Sequence, residues 1–286
     1  MNDEVPAPTG LGRRRRRLSD RETERHMLEA AKTMVNRTGL TVSLEHISLE
    51  DVIRDAGVAR SAVYRRWPHK DLFFSDLLKE LAGAPPPVSA ADSEALAVAQ
   101  RVAIEHLDGL STPQGRHDLC VELFRQTALA DFAALHGSIR WRTYMALHAT
   151  FLSLPEGGLR DEVRRALADA ERQIIARVAG TYQRLAELLG YRLRPDTGAT
   201  FEVLASLVSA MTRGQSVMSP SSPEVTDRRI TGRPFGSTEA HDWSEPAIGV
   251  AAITFSLLEP DPTIEWGGER VAAVRRTIEN EGLAGL

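Results

Sequence analysis

Apolar residues recur along almost the whole chain at helical intervals of three and four, interrupted by Gly, Pro and Ser/Thr/Asp signals that mark helix ends. Met27, Ala30, Ala31, Met34 and Val35 predict a first helix that opens at Ser19, with Glu22 as its capping-box partner, and closes near Gly39. Leu49, Val52 and Ile53 predict a second, capped by Ser48 with Asp51 three residues on, and stopped at Gly57. A third segment, 59–67, places Val63 and Trp67 on one face. It is too short to be stable alone, so that face must dock on its neighbours. Leu72, Phe73, Leu77, Leu78 and Leu81 predict a fourth helix over 70–81 that is too apolar for a free surface.

Residues 82–88, AGAPPPV, hold three consecutive prolines, which no helix interior tolerates, and form the best domain boundary in the chain. Beyond them the pattern predicts helices over 89–109, 112–137, 138–152 and 159–189. Another is capped by Asp196 and carries Phe201, Leu204, Leu207, Val208 and Met211. The segment 246–258 is apolar nearly all round and must be buried in a core or an interface. A last amphipathic helix covers 269–281. Between 215 and 245 the chain is rich in Ser, Pro, Thr, Gly and Arg, and a flexible loop is expected. No stretch has a convincing strand period. The expected fold is all-α: a disordered basic arm over 1–18, a helical head over 19–83 and a larger helical domain over 84–286.

With 286 residues, 42% of them hydrophobic, the chain is long enough for two domains, and its single cysteine rules out an internal disulfide. Cys120 reads as a buried small hydrophobe of a reducing compartment. No apolar run approaches the ~20 residues that span a bilayer, and no apolar block follows the N-terminal arginines. No membrane partner and no signal peptide are therefore expected, and the location expected is cytoplasmic. A net charge of −4 argues against a protein that coats nucleic acid, but the charge is unevenly spread. Residues 13–80 carry 15 Lys and Arg against 11 Asp and Glu, whereas the chain from Leu81 onward is net acidic.

That basic excess surrounds the glycine turn between the second and third segments. A helix, a turn with Gly57, and a short helix exposing Arg60, Ser61, Tyr64, Arg65 and Arg66 make a helix-turn-helix signature. On pattern alone, a helical hairpin with a solvated basic face is equally good. The string GVARSAVYRRWPHKDLFFSDL, however, resembles the DNA-binding signature of TetR-type transcriptional regulators over roughly residues 19–83. In that family a tyrosine ends the recognition helix, an aromatic and a lysine follow, and an acidic residue opens the next helix. Tyr64, Trp67, Lys70 and Asp71 take these places. His69 departs from the usual small polar cap, and the 39–47 link is longer than the family's.

The resemblance implies that Tyr64 and Lys70 contact phosphates while Arg60, Ser61, Arg65 and Arg66 face the major groove, with Ser48 also at the DNA face. It implies a homodimer on a near-palindromic double-stranded operator, a repressor's release by a small-molecule effector, and no cofactor. The dimer interface would use 196–213 and 246–258; the alternative is that both are internal core. Phe124, Trp141, Tyr144, Met145, His148, Phe151 and Met211 are the candidate lining of an effector pocket, or plain core. Arg13, Arg14, Arg15, Arg16 and Arg17 form a like-charge run that is either a solvated tail or an arm for DNA phosphates.

No enzyme is expected. The chain has no G-x-S-x-G elbow, no Walker loop, no H-E-x-x-H and no cysteine pair at metal spacing. His117 and Cys120, three apart, lack a third ligand nearby, so no metal is expected. The remaining alternative is a DNA-binding or architectural protein that responds to no ligand.

Overall fold

A computed structural model describes residues 19–38, 47–86 and 90–283. The expected arm, Arg13 to Arg17 included, lies outside the described residues. The helical head begins where its local chemistry says it should. The Ser19 N–H and hydroxyl donate to the Glu22 carboxylate at 2.8 and 2.9 Å, and Ser19 Oγ accepts from the Glu22 N–H at 3.2 Å. This reciprocal cap opens α1 (Asp20–Thr38). Ser48 Oγ accepts from the Asp51 N–H to open α2 (Leu49–Ala56), which ends at Gly57 with φ of 65°, the left-handed region glycine enters without strain. α3 (Arg60–Arg66) and α4 (Lys70–Ala82) follow. Val63 and Trp67 are fully buried, Trp67 stacks edge-on against Phe73 at 5.1 Å, and its indole N–H donates to Asp76 at 2.9 Å. The short third helix is thus held by its neighbours rather than by its own propensity.

The second part comprises α5 (Ala90–Glu105), α6 (Pro113–Gly137), α7 (Ile139–Ser153) and α8 (Gly158–Leu189), with Thr112 and Ser138 as side-chain caps of α6 and α7. There follow β1 (Tyr191–Leu193), α9 (Phe201–Met218), the one-turn α10 (Glu224–Asp227), β2 (Arg229–Gly232), β3 (His241–Ser244), α11 (Glu245–Leu257), β4 (Leu258–Pro260) and α12 (Gly268–Arg276). α8, with 32 residues, is about 48 Å long. Its first half, through Val163, Leu167 and Ile174, shares a core with α7 and with the head's Val63, Trp67 and Phe73. Its second half, through Ala186 and Leu189, joins a separate core with α5, α6, α9 and α11, called the upper core, the one shared with the head being the lower core. The two cores therefore do not divide at the proline stretch: the head closes its own core with helices from the other side of it.

Several expectations are corrected. The fold is all-α in architecture, yet two antiparallel ribbons staple it: β1 pairs with β4, and β2 with β3. Strands of three or four residues are too short for alternation to stand out in sequence. The 215–245 stretch is not a structureless loop. α9 runs on to Met218, and the β2–β3 hairpin follows, in register Ile230 opposite Trp243. Trp243 is fully buried in the upper core and meets Phe235 edge-on at 5.6 Å. Phe235 sits at φ of 60°, unfavourable for a bulky side chain. It is kept there by stacking on Phe255 at 5.5 Å and by its carbonyl, which accepts from His117 Nε2 at 2.6 Å. A few aromatics in a polar stretch leave no period to read.

The cap of α9 is Thr200, not Asp196, which lies in a preceding 3-10 turn. The helix expected over 89–109 ends at Glu105 and is followed by a 3-10 turn, Leu107–Ser111. That turn packs so closely on the start of α6 that a Cβ on Gly115 would lie 2.3 Å from the Gly109 carbonyl oxygen. The helix expected over 269–281 leaves α-geometry at Thr277 for a π-helical turn.

Candidate nucleic-acid interface

The exposed ridge of the head is built from the turn upward. Gly57 reverses the chain, burial of Val63 and Trp67 sets the rotation of α3, and Arg60, Ser61, Tyr64, Arg65 and Arg66 are left facing solvent. Lys70 is exposed at the first position of α4, whose N-cap, His69, makes no side-chain capping bond. A helix N-terminus favours anions, so a lysine there is unfavourable until a negative group arrives. The lysine and the uncapped N–H groups together suit a phosphate. Ser48 is half-buried, its oxygen accepts from the Asp51 N–H in capping α2, and its O–H proton remains available to an acceptor.

The structure adds what the sequence pattern missed, a set of carboxylates placed against the arginines. Arg60 pairs with Glu50, which also accepts from the Tyr64 hydroxyl at 3.0 Å; this bond is the main cause of the raised Tyr64 pKa. Arg65 pairs with Asp20. Arg66 donates to Glu24 at 3.3 and 3.2 Å, lies 3.5 Å from Asp76, and rests its guanidinium over Trp67 at 5.2 Å. Only the fold of α1 against α3 brings partners 45 and 42 residues apart together. Exposed pairs of this kind contribute about 0–1 kcal/mol each, so they orient the arginines and are readily exchanged for phosphate or base acceptors.

The expected effector-lining residues do not form one wall. Phe124 stacks on Tyr182 at 5.9 Å in the upper core, and Met211 packs there against Gly249. Trp141 and Tyr144 meet edge-on at 5.6 Å in the lower core, Tyr144 meets His148 at 4.8 Å, Met145 packs at that core's edge, and Phe151 lies under Arg160. Of this set only Trp141 lines the partly open cavity of about 110 Å³ between α6, α7, α8, α9 and α11. Phe124 lines a smaller one of about 30 Å³. Both aromatics and cavity walls recur at helical spacing, so aromatic content alone cannot separate them.

The groups beside the larger cavity were not singled out in sequence: Arg213, Arg177 and Asp131 in its wall, and Glu171 next to it. Arg213 donates to both Glu171 oxygens, at 2.9 and 2.7 Å, and Tyr144 donates to Glu171 at 2.9 Å. Burial and that bond raise the Tyr144 pKa, and burial lowers that of His148. A charged residue within the apolar run of α9 was the available signal. His117 and Cys120 hold no open site. His117 Nδ1 bonds the Tyr191 hydroxyl at 2.8 Å and its Nε2 the Phe235 carbonyl, while burial pushes the Cys120 thiol up to about 12.

On the opposite side of α9, Val203, Leu207, Ala210, Gly214 and Val217 form an exposed stripe at i, i+4, i+7, i+11 and i+14. Leu207 is 47% and Val217 60% exposed, and α11 adds the exposed Ala252 alongside half-buried Ile253. Among the described residues no helix is long and apolar enough to cross a membrane.

No family model and no curated protein matches the chain. Among solved structures it is similar to reduced NemR of E. coli, with 17% identity over 85% of this chain and 100% of that one and a TM-score of 0.41. It is similar to SmeT in a complex with triclosan, with 20% identity over 85% and 99% of the two chains and a TM-score of 0.38. It is also similar to TylP, a TetR regulator from Streptomyces fradiae, with 14% identity over 92% and 100% and a TM-score of 0.32. At these scores the superpositions carry no argument about function, which rests on the residues themselves.

Proposed function

We propose that this protein is a sequence-specific DNA-binding regulator of the TetR type, a homodimer whose hold on a near-palindromic operator changes when a small molecule binds. The observation that carries this reading is the rigid, exposed ridge of Arg60, Ser61, Tyr64, Arg65 and Arg66, with Lys70 at an uncapped helix start. An arginine pairs bidentately with the acceptors of guanine, while hydroxyls, lysine and helix N-termini hold phosphates. One such helix reads only a few base pairs. Specificity then needs two copies about 34 Å apart or a multiple of it, and the apolar stripe of α9 supplies a self-complementary surface for pairing them. The protein acts as a repressor released by its ligand, with the partly open cavity beside Arg213 as the place for that ligand.

The test is selection from pooled genomic duplexes at near-physiological salt, with Tyr64→Ala and Arg65→Ala in parallel. Enrichment of a near-palindrome by the wild-type protein, weakened roughly tenfold or more by Arg65→Ala, is expected. Binding indifferent to sequence, or unchanged in both variants, would reject the reading. Deleting Arg13 to Arg17 should flatten the salt dependence of binding by up to about 0.9 logarithmic units per arginine that engages a phosphate. An unchanged slope would show the arm to be a solvated tail.

A second reading, DNA binding without an effector, draws on one observation. The cavity of about 110 Å³ is smaller than the roughly 300–1,000 Å³ of most ligand pockets.

A further inference from the structure

We propose that the cavity between α6, α7, α8, α9 and α11 is a receptor site for a small monocarboxylate on a compact apolar body, captured by Arg213 in competition with Glu171. The regulatory consequence rests on the DNA-binding reading above; the capture itself does not.

Three observations select this chemistry. The wall presents two guanidinium groups, Arg177 and Arg213, the side chains best suited to a carboxylate, beside Asp131; Glu171, bound to Arg213 from outside the wall, balances the charge, so a ligand must compete with it. Two of the wall's N–H groups, Arg213 Nη2 and Trp141 Nε1, are buried and have no hydrogen-bond partner among the described residues. Burying a donor without an acceptor is costly, so both favour a ligand that brings oxygen acceptors and no donor. Ala128, Ile174, Val178, Val208 and Val250 give the wall an apolar part that suits hydrocarbon, beside the hydroxyls of Thr127, Ser209 and Thr212. Size narrows the choice further. The volume of about 110 Å³ is below the roughly 150 Å³ of a sealed cavity that takes up benzene, but this site is open on one side, so it can seat a single ring or a branched short chain with its edge toward solvent and has no room for a polycyclic compound. A phosphate, more strongly hydrated and without an apolar body, fits the walls less well.

Arg213 is oriented for this task. Its guanidinium lies over the rings of Trp141 and Tyr144 at 5.3 and 5.8 Å, and Nη1 alone serves Glu171. A ligand carboxylate that takes Arg213 leaves Glu171 with the Tyr144 hydroxyl as its donor. The tie from α9 through Glu171 on α8 to Tyr144 on α7 then opens. Tyr144 and Trp141 belong to the same core as Val63 and Trp67 beneath the basic ridge, which gives the change a packed route to the head.

Isothermal titration of the full chain with sodium benzoate, with benzamide as the neutral isostere and sodium phosphate as the small anion, tests the proposal. Saturable binding of one benzoate per chain is expected, with benzamide and phosphate at least about tenfold weaker. Arg213→Gln should abolish it, and Glu171→Gln, which frees Arg213, should tighten it by about tenfold. Absence of benzoate binding, equal binding of benzamide, an unaffected Arg213→Gln variant or weaker binding in Glu171→Gln would overturn the proposal. Should Arg213→Gln fail to fold, as judged by far-UV circular dichroism, the benzamide and Glu171→Gln arms decide. Duplex selection on the same preparation separates the two readings. Selective DNA binding without benzoate capture rejects only the carboxylate site, and capture without selective DNA binding rejects only the regulator.

Discussion

Replacing Trp243 by alanine should lower the stability of the protein by about 3–5 kcal/mol, a large share of the roughly 5–15 kcal/mol that holds a domain folded. The indole is fully buried, meets Phe235 edge-on, and through Phe235 reaches Phe255 of α11. Removing it takes away the transfer energy of the ring and leaves a hole that Phe235, already at a positive φ, is poorly placed to fill. Ile230, its partner across the hairpin and 44% exposed, is the internal control. Ile230→Ala should shift stability by no more than about 0.5 kcal/mol. Urea unfolding with fluorescence and circular dichroism would measure both. Equal, small shifts would mean that the 215–245 stretch is a solvated loop and that its aromatics contribute nothing to the core.

Leu207→Glu should convert the protein to a monomer and weaken its affinity for a near-palindromic duplex by about 10²-fold or more. In a two-fold interface the substitution enters twice, placing two carboxylates in an apolar seam, and like charges brought together there cost several kcal/mol. About 2.7 kcal/mol already corresponds to a hundredfold. Leu207 is 47% exposed in the single chain, so the fold of the monomer should be spared, and an unchanged circular dichroism spectrum checks that. Sedimentation velocity reads the assembly state. A wild-type protein that sediments as a monomer, or a Leu207→Glu variant that stays dimeric, would remove α9 from the interface.

The two experiments probe opposite faces of one region that sequence alone left ambiguous. The α9 and α11 segments could be internal core or an interface, and the structure shows each burying one side in the core while leaving apolar residues of another side exposed. Leu204 and Val208 of α9 are buried, while Val203, Leu207 and Val217 look outward. An apolar residue reports that it wants to leave water; it does not report which partner will cover it.

What the sequence determined by itself was local. Ser19 with Glu22, Ser48 with Gly57, Thr112, Ser138 and Ser244 mark helix ends, because capping is decided by residues within three or four positions of one another. The order of the head helices and the solvent-facing place of Arg60, Tyr64 and Arg65 follow from the same short-range periodicity. Only the tertiary structure decided which distant groups meet. It set Asp20, Glu24 and Glu50 against the basic ridge, brought Arg213 to Glu171 beside a cavity, and folded the 215–245 stretch into a hairpin anchored by Trp243. It also joined the head's core to α7 and α8 across the proline stretch. Each of these depends on helices packing side by side, and the rotation and offset of that packing are properties of the whole chain that no local pattern encodes.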